Sequence, residues 1–252
     1  MSAHFKTAVI TGASRGFGRA TAAALVAAGT DVVGVARGEQ DLATARAELG
    51  EGFTPVTADA ADDALAPDLI RQYRPGLLVL NAGAVPHMAP VHEQSWESFS
   101  RNWHVDTRHV FTWIRAALRE PLAPGSVVVA MSSGAVLAGS PLSGGYASAK
   151  AAIRYIGGYA AQESSRAGLG IRFITLLPQL TPATGVGSVG VTAYAARQGT
   201  DREVFVAGLQ PIVTAAAVAQ AVVEIATNPD GAGNPDGAGE YLLSGAGLRP
   251  AG

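Results

Sequence analysis

The sequence predicts a doubly wound α/β fold, a seven-stranded parallel sheet with helices on both faces, and three observations carry that prediction. Short apolar or β-branched runs bounded by turn residues alternate with longer Ala-rich stretches. The runs are solidly apolar, as in AVIT, VVVAM and FITLL, which suits strands buried on both faces rather than strands with one wet face. No shift in composition divides the 252 residues, so one domain is expected over 1–252. Repetition of strand, helix and strand then calls for right-handed crossovers in an open sheet.

In chain order, the first strand is read at Thr7 to Thr11 and its helix at Gly18 to Ala28. The second strand, Asp31 to Ala36, precedes a helix at Gln40 to Leu49. The third, Phe53 to Ala58, precedes one at Asp62 to Tyr73. The compact run Leu77 to Leu80 is the fourth strand, followed by a long helix from Trp96 to Leu118. Ser126 to Met131 and the helix Gly145 to Arg166 form the fifth unit. Arg172 to Leu177, a helix at Ala215 to Ala226, and a last strand at Glu240 to Leu243 close the series. Two stretches break the alternation. Gln179 to Thr200 is rich in Gly, Thr and Pro and too long for an ordinary connection, so 179–208 is expected to be a substrate-binding loop or lid. NPDGAG occurs at 228–233 and again at 234–239 and reads as an exposed turn with no assigned function.

Composition narrows the function. The chain is 48% apolar and 15% charged, which argues against disorder or a fibre. Net charge is −2 and the 18 basic residues are scattered, giving no footprint for nucleic acid and no polybasic membrane patch. No apolar run approaches the ~20 residues of a bilayer span, and MSAHFKTAVITG lacks the regions of a signal peptide, so a cytoplasmic protein is expected. With no cysteine, thiolate catalysis, disulfides and sulfur-ligated zinc are excluded. The histidines lack ligand spacing, and no metal is assigned. A small-molecule task is the better expectation.

The first motif is TAVITGASRGFGRATAAAL. Gly12, Gly16 and Gly18 lie between a strand and a helix, where glycines let backbone N–H groups and the positive helix end approach a pyrophosphate. The TGxxxGxG spacing, with Ser14, Arg15 and Phe17 inside it, resembles the short-chain dehydrogenase/reductase family of Rossmann-type fold. At the end of the second strand, where an acidic residue would bind a ribose 2′-hydroxyl, the sequence has Ala36 and Arg37. Arg37 together with Arg15 would grip a 2′-phosphate, so NADP(H) is expected over NAD(H), with Glu39 as the rival ribose ligand. The resemblance further implies that Asp59 and Ala60 flank the adenine, although Asp59 reads equally as a helix N-cap. It also implies that Asn81, Ala82 and Gly83 border the cofactor.

The second motif is Tyr146-Ala-Ser-Ala-Lys150, whose i, i+4 spacing sets phenol and ammonium on one helical face about 5 to 6 Å apart. With six tyrosines and two lysines in the chain, random placement gives this spacing only about 5% of the time. A cation about 6 Å away at an effective dielectric near 20 stabilises a phenolate by roughly 2 to 3 kcal/mol, so Tyr146 is a candidate acid/base and Lys150 its tuner. The resemblance places a catalytic serine thirteen residues before the tyrosine. That selects Ser133, which would hold the substrate oxygen, with Ser132 as competitor.

In the helix before the fifth strand the family commonly carries an asparagine five residues ahead of an aromatic. Counting back from Phe111 gives Asp106, a departure that puts the proton relay in doubt; in another register Asn102 or His104 would face the site. After the sixth strand Pro178 and either Thr181 or Thr184 are expected at the cofactor, with Gln179 where the family usually has glycine. His87 and Met88 lie in a loop that the resemblance places at the substrate mouth, with His87 read as a surface or pocket-wall residue rather than a proton donor. The expectation is an NADP(H)-dependent oxidoreductase interconverting a carbonyl and an alcohol, acting on a small molecule as a homodimer or homotetramer. A non-catalytic NADP(H)-binding redox sensor of the same fold is the alternative, and a cofactor-free halide-eliminating relative is disfavoured by the glycine turn with Arg15 and Arg37.

Overall fold

A computed structural model describes residues 5–228 and 238–251. The strands are β1 (Thr7–Thr11), β2 (Asp31–Ala36), β3 (Phe53–Thr57), β4 (Leu77–Leu80), β5 (Val127–Met131), β6 (Arg172–Pro178), β7 (Ala238–Ser244) and β8 (Gly247–Pro250). The helices are α1 (Gly16–Ala27), α2 (Glu39–Leu49), α3 (Leu65–Tyr73), α4 (Trp96–Asn102), α5 (Arg108–Arg119), α6 (Ala135–Ala138), α7 (Gly144–Arg166), α8 (Gly185–Gln198), α9 (Arg202–Ala207) and α10 (Ala215–Thr227).

The sheet runs in the order β3-β2-β1-β4-β5-β6-β7-β8. The first seven strands pair in parallel, and the order reverses between β1 and β4, the switch point beyond whose carboxyl ends a cleft opens. The solid apolar runs serve two layers. In β1, Ala8 and Ile10 enter the core beneath α1 and α10, whereas Val9 enters the opposite core beneath α5 and α7. In β5, Val127 and Val129 take the first side and Val128 and Ala130 the second. Trp113 and Ile153, both fully buried, fill the second layer from α5 and α7. Burying a large apolar side chain of this kind contributes about 1.5 to 3 kcal/mol.

Four expectations need correction. Among the described residues the sheet has eight strands, not seven all parallel: β8 returns antiparallel on β7 through the tight turn Gly245-Ala246, with Ser244 paired to Gly247. Its run GLRP is short and mostly exposed, so it carries little apolar signal, and Pro250 is tolerated because the strand forms the sheet edge. The long helix read at Trp96 to Leu118 is interrupted by a π turn at Trp103–Thr107.

The segment 179–208 is not a loop, because it carries α8 and α9. Thr184 caps α8 by accepting the Gly187 N–H at 3.0 Å, and Gly199 ends it with a left-handed φ of 64°. The glycines that suggested a loop provide close approach instead: a Cβ on Gly187 would collide with the Thr181 carbonyl. α3 starts at Leu65 rather than Asp62, whose carboxylate turns back to the Ala64 N–H at 3.0 Å. The duplicated NPDGAG lies outside the described residues except for 228, 238 and 239. No helix among the described residues is long and apolar enough to cross a membrane.

Candidate active site

At the carboxyl ends of β1, β2, β4, β5 and β6 lies one cavity of about 890 Å³. Its first half is built on the glycine turn. The N–H groups of Gly12 and Ala13 both donate to the Val35 carbonyl, at 2.8 and 3.2 Å, which ties the turn to the end of β2. Gly12 and Gly16 take positive φ, and a Cβ on Gly18 would overlap the Gly12 carbonyl oxygen, so α1 seats directly on the turn. No side chain caps α1, and its first turn opens into the cavity beside Ser14, Arg15, Gly16 and Phe17. Gly18 itself is buried behind that wall rather than in it.

Thr11, which the sequence reading passed over, locks β1 to β4. Its hydroxyl donates to the Val79 carbonyl at 3.3 Å and accepts the N–H groups of Asn81 and Ala82 at 2.9 and 3.1 Å. The Asn81 amide returns the bond, donating to the Thr11 and Gly12 carbonyls at 3.2 and 3.3 Å. Asn81, Ala82 and Gly83 thus form a fixed wall.

Arg37 and Arg15 are exposed at the far end of the cavity and neither is paired with a carboxylate among the described residues. Glu39 opens α2 outside the wall, whereas Asp41, two residues on, lines it, a position that the separation from the glycines did not single out. Asp59 caps no helix, since α3 begins six residues later; its carboxylate accepts the Ala61 N–H at 2.9 Å. Ala60 is buried beside it, and its carbonyl accepts the Trp113 indole N–H at 2.9 Å.

The second half holds the titratable groups. Ser133, Tyr146 and Lys150 all line the cavity. The Ser132 hydroxyl is engaged elsewhere, donating to the Lys150 carbonyl at 2.8 Å, whereas Ser133 Oγ only accepts the Ala135 N–H at 3.2 Å. Of the two serines, Ser133 is the one in a position to meet a ligand. Lys150 is 5% exposed; its Nζ donates to the Met131 carbonyl at 3.0 Å and lies 5.6 Å from the Tyr146 ring centre.

Asp106 faces this group from the π turn, a helical irregularity common at functional sites. Its Oδ2 is 3.2 Å from Lys150 Nζ, and its Oδ1 accepts the Ala84 N–H at 2.8 Å. Burial opposes the charge on Lys150, but the Asp106 carboxylate and then Tyr146 outweigh it, and the ammonium titrates above its ordinary value. Asn102 is a buried strut, donating to the Ala84 carbonyl at 2.9 Å, and His104 is exposed, so the register that starts from Phe111 is the one the fold adopts.

His109, weighed in the sequence only as a metal ligand and set aside, is fully buried in the same wall, three residues after Asp106 on the same face. Burial first, then the nearby Lys150 charge, lowers its pKa to about 3, so the imidazole is neutral. Pro178, Thr181 and Thr184 all border the cavity, but both hydroxyls are engaged: Thr181 donates to the Val213 carbonyl at 2.6 Å and Thr184 caps α8. Met88 reaches the wall; His87 is exposed outside it.

A family model described as short chain dehydrogenase matches residues 6–189, which span every one of these groups up to α8. The chain belongs to the short-chain dehydrogenase family. Among curated relatives, L-xylulose reductase of Mesocricetus auratus is 33% identical over 126 residues, 49% of this chain and 51% of that protein. Carbonyl reductase (NADPH) 2 of Sus scrofa is 34% identical over 124 residues, 48% and 50% of the two chains. Cis-4-hydroxycyclohexanecarboxylate dehydrogenase of Sinomonas cyclohexanicum is 35% identical over 156 residues, 59% and 63%. The matches thus span about half the length of the curated relatives.

Among solved structures, NAD+-bound xylitol dehydrogenase superposes with a TM-score of 0.80 at 21% identity over 95% of this chain and 98% of the other, a likeness of fold. The cofactor of this short-chain dehydrogenase family is NAD(P)(H). The cavity fits it. No side chain caps the start of α1 where it opens into the cavity, and the volume lies within the usual range of about 300 to 1,000 Å³ for small-molecule sites.

Proposed function

We propose that this short-chain dehydrogenase interconverts a ketone or aldehyde and the corresponding alcohol, with NADP(H) as cofactor. The observation that carries the reading is that Ser133, Tyr146 and Lys150 share one cavity with the uncapped start of α1. When bound, the nicotinamide cofactor would supply or take up the hydride. The Ser133 hydroxyl donates to the substrate oxygen and stabilises the negative charge that develops there. The Tyr146 hydroxyl gives that oxygen its proton in reduction and takes it back in oxidation. Lys150, held by the Met131 carbonyl and Asp106, keeps a positive charge beside the phenol. The backbone N–H groups at the start of α1 would hold the pyrophosphate, and Asn81 to Gly83 the ribose side.

Selection of NADP(H) rests on Arg15 and Arg37, two guanidinium groups at the cavity end with no carboxylate partner among the described residues. Asp41 is the opposing charge there. Two further points belong to the same reading. Exposed Trp103, Phe111, Tyr155 and Tyr159 on the turn before α5, on α5 itself and on α7 offer an apolar face for a homodimer or homotetramer. The substrate is a small molecule whose apolar body would lie against Met88, Leu180 and Val186.

The deciding experiment titrates the purified protein with NADPH and separately NADH by nucleotide fluorescence, then follows cofactor loss across a ketone and aldehyde panel. Tighter NADPH binding with substrate-dependent oxidation is expected. Binding without turnover on any panel member would favour the redox sensor, and preference for NADH would overturn the role given to Arg37.

A further inference from the structure

The substrate side of the cavity is closed by two segments distant in sequence, the turn 138–143 ahead of α7 and the helix α8. Tyr194, in the third turn of α8, joins them. Its phenolic oxygen is 2.7 Å from Ser140 Oγ and accepts the Leu142 N–H at 3.2 Å. Ser140 Oγ is in turn 2.6 Å from the buried Ser143 Oγ, immediately before α7 and three residues ahead of Tyr146. The same turn is held from its other side, since the Leu142 carbonyl accepts the Ala89 N–H at 2.8 Å from the segment after β4. Among the described residues these are the only side-chain hydrogen bonds from α8 to an element outside 179–208. The other residues that these two walls present to the cavity include Ala138, Pro141, Val186 and Gly190, whose side chains offer no hydrogen bond.

We propose that Tyr194 is a positioning residue: its hydroxyl latches α8 to the turn ahead of α7 and so sets the width of the substrate cleft beside Tyr146. The three hydroxyls form a chain in which each oxygen is both supported and supporting, so removing one leaves the others short of partners in a half-buried site. The latch acts on the substrate wall and not on the glycine turn, which is held by its own bonds to Val35 and Asn81. Substrate discrimination depends on it, because a wall free to swing admits bulkier carbonyl compounds and orients small ones poorly.

The proposal rests on the carbonyl and alcohol chemistry above only for its kinetic readout, so the test has two arms. In the first, amide hydrogen exchange is compared between the native protein and Tyr194→Phe, which keeps the ring and its packing. The Leu142 amide is expected to exchange roughly tenfold faster, with the Gly12 and Ala13 amides unchanged. In the second, KM for a small ketone is expected to rise about tenfold in Tyr194→Phe, with kcat altered less than about threefold and NADPH affinity unchanged. The preference for small over bulky ketones falls in the same variant, and Ser140→Ala gives a smaller KM rise in the same direction.

Unchanged exchange at Leu142 would overturn the latch whether or not the protein turns over any substrate. Parallel losses of nucleotide and ketone affinity would overturn it too, because they mean general loosening. Absence of turnover in the native protein would defeat the carbonyl reading and leave the exchange arm to decide the latch.

Discussion

The two halves of the cavity are held in different ways. Around the glycine turn the fastening is backbone to backbone or short side chain to backbone: Gly12 and Ala13 to Val35, Thr11 to Val79, Asn81 to Thr11 and Gly12. These bonds join strand ends already fixed by the sheet, so this half is rigid for the same reason the sheet is. On the substrate side, α6, α8 and α9 are short or glycine-rich, and the hydroxyl chain through Tyr194 ties α8 to the turn ahead of α7. Lower local stability is expected wherever few buried bonds cross between segments. The nucleotide half can then stay fixed while the substrate wall is reshaped around different substrates.

Tyr146 stands at the seam, and its substitution gives the largest expected effect. Tyr146→Phe removes the proton donor without touching the glycine turn. Turnover should fall by about 10²- to 10⁴-fold while NADPH affinity holds, as measured by single-turnover oxidation and nucleotide fluorescence. Equal loss of both would mean that the two halves are not separable.

Arg37→Ala tests the rigid half alone. Selectivity for NADPH over NADH should drop by roughly tenfold or more, the scale of one lost charge-assisted contact, while KM for the ketone stays constant. An unchanged ratio would leave Arg15 as the selecting group.

Asp106→Asn sharpens the comparison at the catalytic end. Lys150 titrates high because the carboxylate offsets its burial. Without that charge, burial prevails and the ammonium loses its proton at lower pH. The sign is therefore fixed: activity that depends on charged Lys150 survives below its pKa and is lost as pH rises through it, so the alkaline limb of the kcat/KM profile should move down. A shift of about one pH unit is expected, with the neutral-pH rate less affected. A rate loss without any shift of the limb would reduce Asp106 to a strut for the Ala84 N–H.

Legibility of the site followed sequence separation. Tyr146 and Lys150 were legible because four residues on a helix put two side chains on one face. The glycine turn was legible because strand, turn and helix lie within one local unit, and Ser133 followed from the resemblance by a fixed offset. Asp106 was found only by counting from Phe111, and its partner was invisible: the contact to Lys150 crosses from a π turn to α7. The sequence offered His109 only as an unpaired metal-ligand candidate, because its burial comes from the packing of α5 against β4. The α8 segment was misread because glycine signals both a loop and a close approach, and only the position of the Thr181 carbonyl tells them apart.

By itself, then, the sequence determined what depends on local periodicity and local backbone freedom: seven of the eight strands, most helices, the nucleotide turn and the Tyr-Lys pair. Tertiary structure decided what depends on bringing distant segments within bonding distance: the lock of Thr11 on β4, the Asp106–Lys150 pair and the Tyr194 latch. The physical reason is range. A hydrogen bond or ion pair acts over about 3 Å, and for residues 44 or more positions apart only the folded sheet establishes that separation.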